Sequence, residues 1–135
     1  MTRRDLVYVA VLMLGCGRAE RDLRTLLPQQ VGGGWSRQDV QPLDASDLPS
    51  DVTGMPWKQA VIARYAGGGP GAINVRLIEF KAETIAFELM QRWRQSEGLA
   101  FYKGPYFIVC RPDGVDPQRL GEFTRALQNS MQKQS

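Results

Sequence analysis

The clearest alternation of apolar and polar positions runs over residues 72–80, where Ile73, Val75 and Leu77 alternate with Asn74 and Arg76. That period of two puts one face of a strand in a core and the other toward water. Residues 58–66 read as its partner, joined through Gly67-Gly68-Gly69-Pro70-Gly71 in a hairpin. The period then lengthens. Ala82, Ile85, Ala86, Leu89, Met90 and Trp93 fall on one stripe, with Glu83, Glu88, Gln91, Arg92 and Arg94 mostly off it. This predicts a helix over 82–95 that ends before Gly98, with Trp93 packed on the sheet. Residues 99–102 and 106–111 form a second predicted hairpin around Lys103-Gly104-Pro105, because proline is tolerated where a strand begins and needs no ladder donor. Asp116-Pro117 has the order of an N-cap followed by proline at the first helical position, and Leu120, Phe123, Leu127 and Met131 give the helix it opens a core face.

Nearer the start, Ala19, Leu23, Leu26 and Leu27 share one face of a predicted short helix over 19–27, stopped by Pro28. Gly32-Gly33-Gly34 interrupts the chain, and a strand is expected from Trp35 to about Gln41. Residues 42–56 shift to Pro, Asp, Ser and Gly, the composition of a long loop. The order of elements implies an α+β fold: an antiparallel sheet of about five strands with two or three packing helices. With 135 residues, 43% of them hydrophobic, there is material for one core. The expected division is residues 1–15 as a signal, 16–34 as a short helix and linker, and 35–135 as a single α+β domain.

Residues 1–17 have a separate logic. Arg3 and Arg4 precede an apolar run from residue 6 to residue 14, which ends at Gly15-Cys16. A nine-residue run falls well short of the roughly 20 residues needed to span a bilayer. It shows neither helical nor strand periodicity, and its flanks are those of an export signal. A core helix or strand is the competing reading. The segment resembles a bacterial lipoprotein signal, in which a small residue precedes a cysteine that is acylated before cleavage. The resemblance implies lipidation of Cys16, anchoring to a membrane through the lipid, and a periplasmic or extracytoplasmic location. Met13 stands where such signals most often carry leucine, and Gly17 does not match the aspartate pattern of inner-membrane retention. Thr2-Arg3-Arg4-Asp5-Leu6-Val7 also resembles a loose twin-arginine motif, although an ordinary basic leader accounts for the same residues.

Charge and residue types narrow the chemistry. The net charge is +3, falling to +2 once residues 1–15 remove Arg3, Arg4 and Asp5. Basic and acidic residues are interspersed, unlike the clustered cations of a nucleic-acid interface, so no nucleic-acid partner is expected. Histidine is absent. That excludes the usual serine or cysteine triads and the commonest zinc and copper sites. Asp44, Asp47 and Asp51 lack the spacing of a calcium loop, and no Lys-Ser/Thr follows the glycine-rich 67–71 segment as in a phosphate cradle. No catalytic residue, metal or cofactor is therefore expected. Cys110 is expected to be a small buried residue, and Cys16 could pair with it only if it were not acylated.

The stretch 73–131 resembles an uncharacterised family of exported bacterial proteins, known only as a domain of unknown function. The likeness rests on Ala86-Phe87-Glu88-Leu89, Gln91-Arg92-Trp93-Arg94 and the run 101–109, continued by Asp116, Leu120, Phe123 and Leu127. It implies a fold and an exported location, but no activity or partner. The leading functional expectation is a non-catalytic binding or interaction module of the cell envelope, with an envelope protein or a small ligand as partner. Its candidate surface is Arg92, Arg94, Tyr102, Lys103 and Tyr106, since aromatics and arginine concentrate at binding hot spots. Ordinary cross-strand pairing and a solvated helix face explain the same residues. One alternative is a carboxylate enzyme using Glu79, Glu83 and Glu88. Another is a structural subunit of an envelope complex, which an exposed apolar patch would support.

Overall fold

The structure is a computed structural model that describes residues 22–94 and 98–133. The chain folds as α+β, around a curled six-stranded antiparallel sheet. Its strands are β1 (Gln30–Val31), β2 (Trp35–Pro42), β3 (Trp57–Ala66), β4 (Ala72–Phe80), β5 (Leu99–Lys103) and β6 (Tyr106–Asp113), in the order β1-β2-β3-β4-β6-β5. The helices are α1 (Ser50–Thr53), α2 (Glu83–Arg92) and α3 (Pro117–Gln132). The strand beyond the expected five is β1, two residues paired with the start of β2 across the Gly32-Gly33-Gly34 turn. It is too short to leave a periodic signature.

The β3–β4 hairpin forms as the alternation predicts, with Ile73 opposite Tyr65 and Val75 opposite Ala63. The second hairpin inserts β6 beside β4 and leaves β5 at the edge. β6 runs two residues further than the pattern suggests and includes Pro112, which pairs with Ile73. Proline is tolerated there because the pairing with β5 ends at Cys110, so beyond it β6 has a neighbour on one side only.

Pleating distributes side chains to two cores. On one face Val61, Ala63, Tyr65, Ile73, Val75, Leu77, Ile108 and Cys110 meet Leu120, Phe123, Leu127 and Met131 of α3. Phe123 sits at its centre, fully buried, with edge contacts to Trp35 at 5.6 Å and Tyr65 at 5.2 Å. The start of α3 is as read from sequence: Asp116 Oδ1 accepts from the Arg119 amide at 2.8 Å, and Pro117 occupies the first turn. On the other face Ala60, Ile78, Phe80, Phe107 and Val109 meet Ala86 and Leu89 of α2, with Leu48 and Val52 closing the side.

Three elements depart from their expected form. The helix expected over 19–27 is a 3-10 turn at Leu23–Leu26 whose N-cap, Asp22, accepts from the Arg24 amide; Ala19 lies outside the described residues. Pro28 leaves no room for a longer helix after that cap. Leu23, Leu26, Leu27 and Val31 nevertheless join the α3-side core. Arg37 Nη1 donates to the carbonyls of Arg24 and Leu27, and Tyr65 Oη donates to the Pro28 carbonyl at 2.6 Å. Residues 23–34 therefore pack into the same body as the sheet. The expected loop 42–56 carries a 3-10 turn (Ala45–Asp47) and the single turn of α1, because Leu48 and Val52 are drawn into the core on the α2 side of the sheet. Finally, α2 stops at Arg92, and Trp93 turns into extended backbone so that its ring lies 5.0 Å from Phe107. Trp93 thus packs on the sheet, as the apolar stripe predicts.

The apolar run 6–14 and Cys16 lie outside the described residues. Among the described residues, no helix is long and apolar enough to cross a membrane.

Candidate functional site

The face of the sheet that carries α2 is apolar at one end and polar at the other. Ladder partners make this explicit: Ala60, Ile78 and Phe107 form one cross-strand row, Ile62, Arg76 and Val109 the next, and Arg64, Asn74 and Arg111 the one after. α2 covers the apolar end. Where the rows become polar, the sheet, the 46–52 segment and Trp93 beyond the end of α2 border a partly open cavity of about 320 Å³. That is the scale of a small-molecule pocket.

Leu48, Val52, Ile78, Val109 and the ring of Trp93 make up the apolar lining, and Asp47, Arg76 and Arg111 bring charge to it. Arg76 rises from the centre of β4 and is half-buried. Among the described residues its guanidinium makes no hydrogen bond or ion pair. Burial holds its pKa below the ordinary guanidinium value; the nearby Arg111 acts in the same direction and Asp47 opposes both. A guanidinium keeps its proton through such a shift, so the physical content is a cation whose lost hydration has not been replaced. The Trp93 ring lines the cavity, while its N–H is buried out of reach of solvent. Its Nε1 is buried and has no acceptor, whereas buried indole N–H groups ordinarily find one. The Asp47 carboxylate is already engaged, accepting the Asp44 amide at 2.9 Å.

The residues proposed as a surface from sequence are spread over the molecule. Tyr102 faces the α2 side, where its ring meets Phe87 edge-on at 5.7 Å. Tyr106 packs on the α3 side. Lys103, its cross-strand partner, donates through Nζ to the Met131 carbonyl near the end of α3. Arg94 donates to the carbonyls of Gln91 and Trp93 at the end of α2, and Arg92 Nη2 lies 3.4 Å from Met55 Sδ. One strand step between the two tyrosines' positions in the ladder sends them to opposite faces.

The three carboxylates do not converge either. Glu79 continues the odd-numbered face of β4 toward the α3 side, where Gln59 Nε2 donates to it at 2.8 Å and Lys58 Nζ lies 3.6 Å away. Glu83 and Glu88 are exposed residues of α2. Among the described residues no cluster of three or more potential metal ligands is gathered.

Two residues central to the cavity, Arg76 and Asp47, were invisible as a site in the sequence because they lie 29 positions apart in a strand and a loop. One signal does exist. On the even-numbered positions of β4, Asn74 and Arg76 give way to Ile78 and Phe80, which marks a strand whose second face is only partly covered. Comparison with protein-family models, curated proteins and solved structures finds no match.

Proposed function

We propose that this protein is an exported lipoprotein, anchored to a membrane through Cys16, whose folded domain is a non-catalytic binding module with its ligand site in the cavity beside α2. The reading of export rests on the charged leader, the short apolar run and Gly15-Cys16; the resemblance to an uncharacterised exported family belongs to the same proposal. The observation that carries the binding reading is a partly open cavity, largely apolar in its lining, beside a half-buried Arg76 whose guanidinium makes no hydrogen bond or ion pair among the described residues. A guanidinium that has lost part of its hydration and makes no hydrogen bond is costly in a folded protein, and a ligand that supplies acceptors relieves that cost. Anchoring would suit such a module, because an acylated N-terminus with several chains holds it stably at a surface while leaving the domain in water.

Mass spectrometry of the protein from a bacterial host tests the anchor. The expected mature chain begins at a lipid-modified Cys16, and Cys16→Ser shifts the protein out of the membrane fraction; an unmodified Met1 with unchanged fractionation refutes it. For the binding reading, native mass spectrometry after incubation with the small-molecule extract of that host is expected to show an adduct that Arg76→Gln loses. An adduct retained by that variant would place the ligand elsewhere.

A further inference from the structure

The two edges of the sheet are built differently. Beyond the short cover of β1, β2 is guarded: its pairing with β3 shifts register between Arg37 and Asp39, exposed Gln38, Asp39 and Gln41 follow, and the strand ends at Pro42. A bulge, a charge and a proline are the devices that keep a strand edge from pairing further. At the other edge, β5 has none of them. It pairs with β6 without a register shift and contains no proline, and its one charged residue, Lys103, is turned back to the Met131 carbonyl. Lys103 and Tyr106 close a two-residue loop as a hydrogen-bonded pair, so the main-chain groups of Leu99, Phe101 and Lys103 turn toward β6 and those of Ala100 and Tyr102 turn outward. Among the described residues these outward groups have no main-chain partner. The two exposed large apolar residues among those described also stand at this edge, Phe87 against Tyr102 on the α2 side and Leu99 on the α3 side.

Such an edge is matched by another strand, since extended backbone presents donors and acceptors at the same spacing. The order of residues in β5 favours a second copy of itself. With Phe101 on a two-fold axis, Ala100 faces Tyr102 of the second copy and Tyr102 faces its Ala100, so each of these outward-turned pairs exchanges both of its main-chain hydrogen bonds. The small alanine leaves room beside the larger tyrosine. On the α3 side Phe101 meets its own counterpart, and Leu99 lies across from the aliphatic stem of Lys103 of the second copy, with no like charges opposed. The guarded β2 edge offers no matching strand, so the pairing closes as a dimer and does not run on into a filament. We infer that two copies of this chain associate through β5, antiparallel and centred on Phe101, joining their sheets into one.

Sedimentation velocity and amide hydrogen exchange of the full chain provide the test, with Cys16→Ser present so that neither acylation nor a disulfide at that position contributes. The expected result is a reversible monomer–dimer equilibrium with a dissociation constant in about the micromolar range, as suits a small interface. Exchange at the Ala100 and Tyr102 amides should slow as the dimer forms, while the Leu99, Phe101 and Lys103 amides, already turned to β6, change little. Ala100→Pro removes one outward N–H from each copy without touching the β5–β6 ladder, and should weaken association by about tenfold or more. Leu99→Lys, at an exposed position, should weaken it by about fivefold, and keeps the inference open to refutation should Ala100→Pro fail to fold. A chain that stays monomeric at millimolar concentration overturns the inference and leaves the edge to a strand of another protein. A dimer that both variants leave unchanged, or that forms without slowing the two outward amides, overturns it by placing the interface elsewhere.

Discussion

Cys110 shows how position within a strand decides the character of a side chain. It is fully buried on the α3 face, and burial pushes its thiol from an ordinary 9.0 up to about 12, with the neighbouring Thr124 side chain acting in the other direction. Tyr65, on the same face, is likewise raised by burial and hydrogen-bonded to the Pro28 carbonyl. Both groups keep their protons in the folded protein at pH values where the unfolded chain has begun to lose them. The unfolded state then binds fewer protons, so stability is intact below about pH 9 and falls as pH rises from there toward 12. Urea midpoints measured between pH 8 and pH 11 should decline over that window, and Cys110→Ala should make the decline shallower. Alkylation by iodoacetamide at pH 8 should reach Cys110 only after denaturant is added, since the thiolate is the reactive form. Rapid modification of the native protein would contradict this burial.

The glycine-rich link between β3 and β4 shows what a whole element can require of one position. The loop folds over Trp35, and a Cβ on Gly68 would lie 2.3 Å from the indole Cε2, far inside contact distance. The ring cannot easily retreat, because Phe123 meets it from one direction and the Arg119 guanidinium lies 5.3 Å over it. Arg119 Nη2 also donates to the Gly68 carbonyl at 2.8 Å, tying the loop to the first turns of α3. Gly71 has a φ of +85° and a second close approach, to the Gly114 carbonyl oxygen, so the far end of the loop is constrained as well. Gly68→Ala is therefore expected to destabilise the protein by about 1–3 kcal/mol, the usual cost of overpacking. A urea midpoint unchanged from wild type would show that the loop relaxes without disturbing Trp35. The loop thus acts as a lid on the core of the α3 side, beyond the simple turn that the hairpin pattern implies.

At the scale of the molecule, the central strands carry two cores that do not share side chains. Ile73 faces α3 and Ile78 faces α2, both nearly or fully buried, five residues apart on β4. Each Ile→Val change should cost about 0.5–1.5 kcal/mol. Because the sheet separates their surroundings, the double variant should equal the sum within about 0.5 kcal/mol. A coupling beyond that, read from chemical denaturation of the four proteins, would mean that the two layers adjust to one another through the sheet. The two exposed large apolar residues among those described, Phe87 of α2 and Leu99 of β5, lie on opposite faces of the sheet, since Leu99 pairs with Cys110 of the α3 side.

Local pattern alone determined the elements whose signals are contained within a few residues. The β3–β4 hairpin, the cap and core stripe of α3, the position of Trp93 against the sheet and the burial of Cys110 are all legible as period, capping chemistry or composition. The α+β class follows from their order. The short strand β1 and the recruitment of Leu48 and Val52 depend on distant partners, so no local period announces them. The cavity is further still from the sequence: Asp47, Arg76, Trp93 and Arg111 meet only because β6 inserts next to β4 and α2 turns back across the same face. Tertiary structure likewise divided Tyr102 from Tyr106, since a strand's alternation says that two residues differ in facing while the packing of helices decides what each face meets. Side-chain periodicity is a property of the backbone and can be read in advance; which donors are left without acceptors is a property of the assembled surfaces.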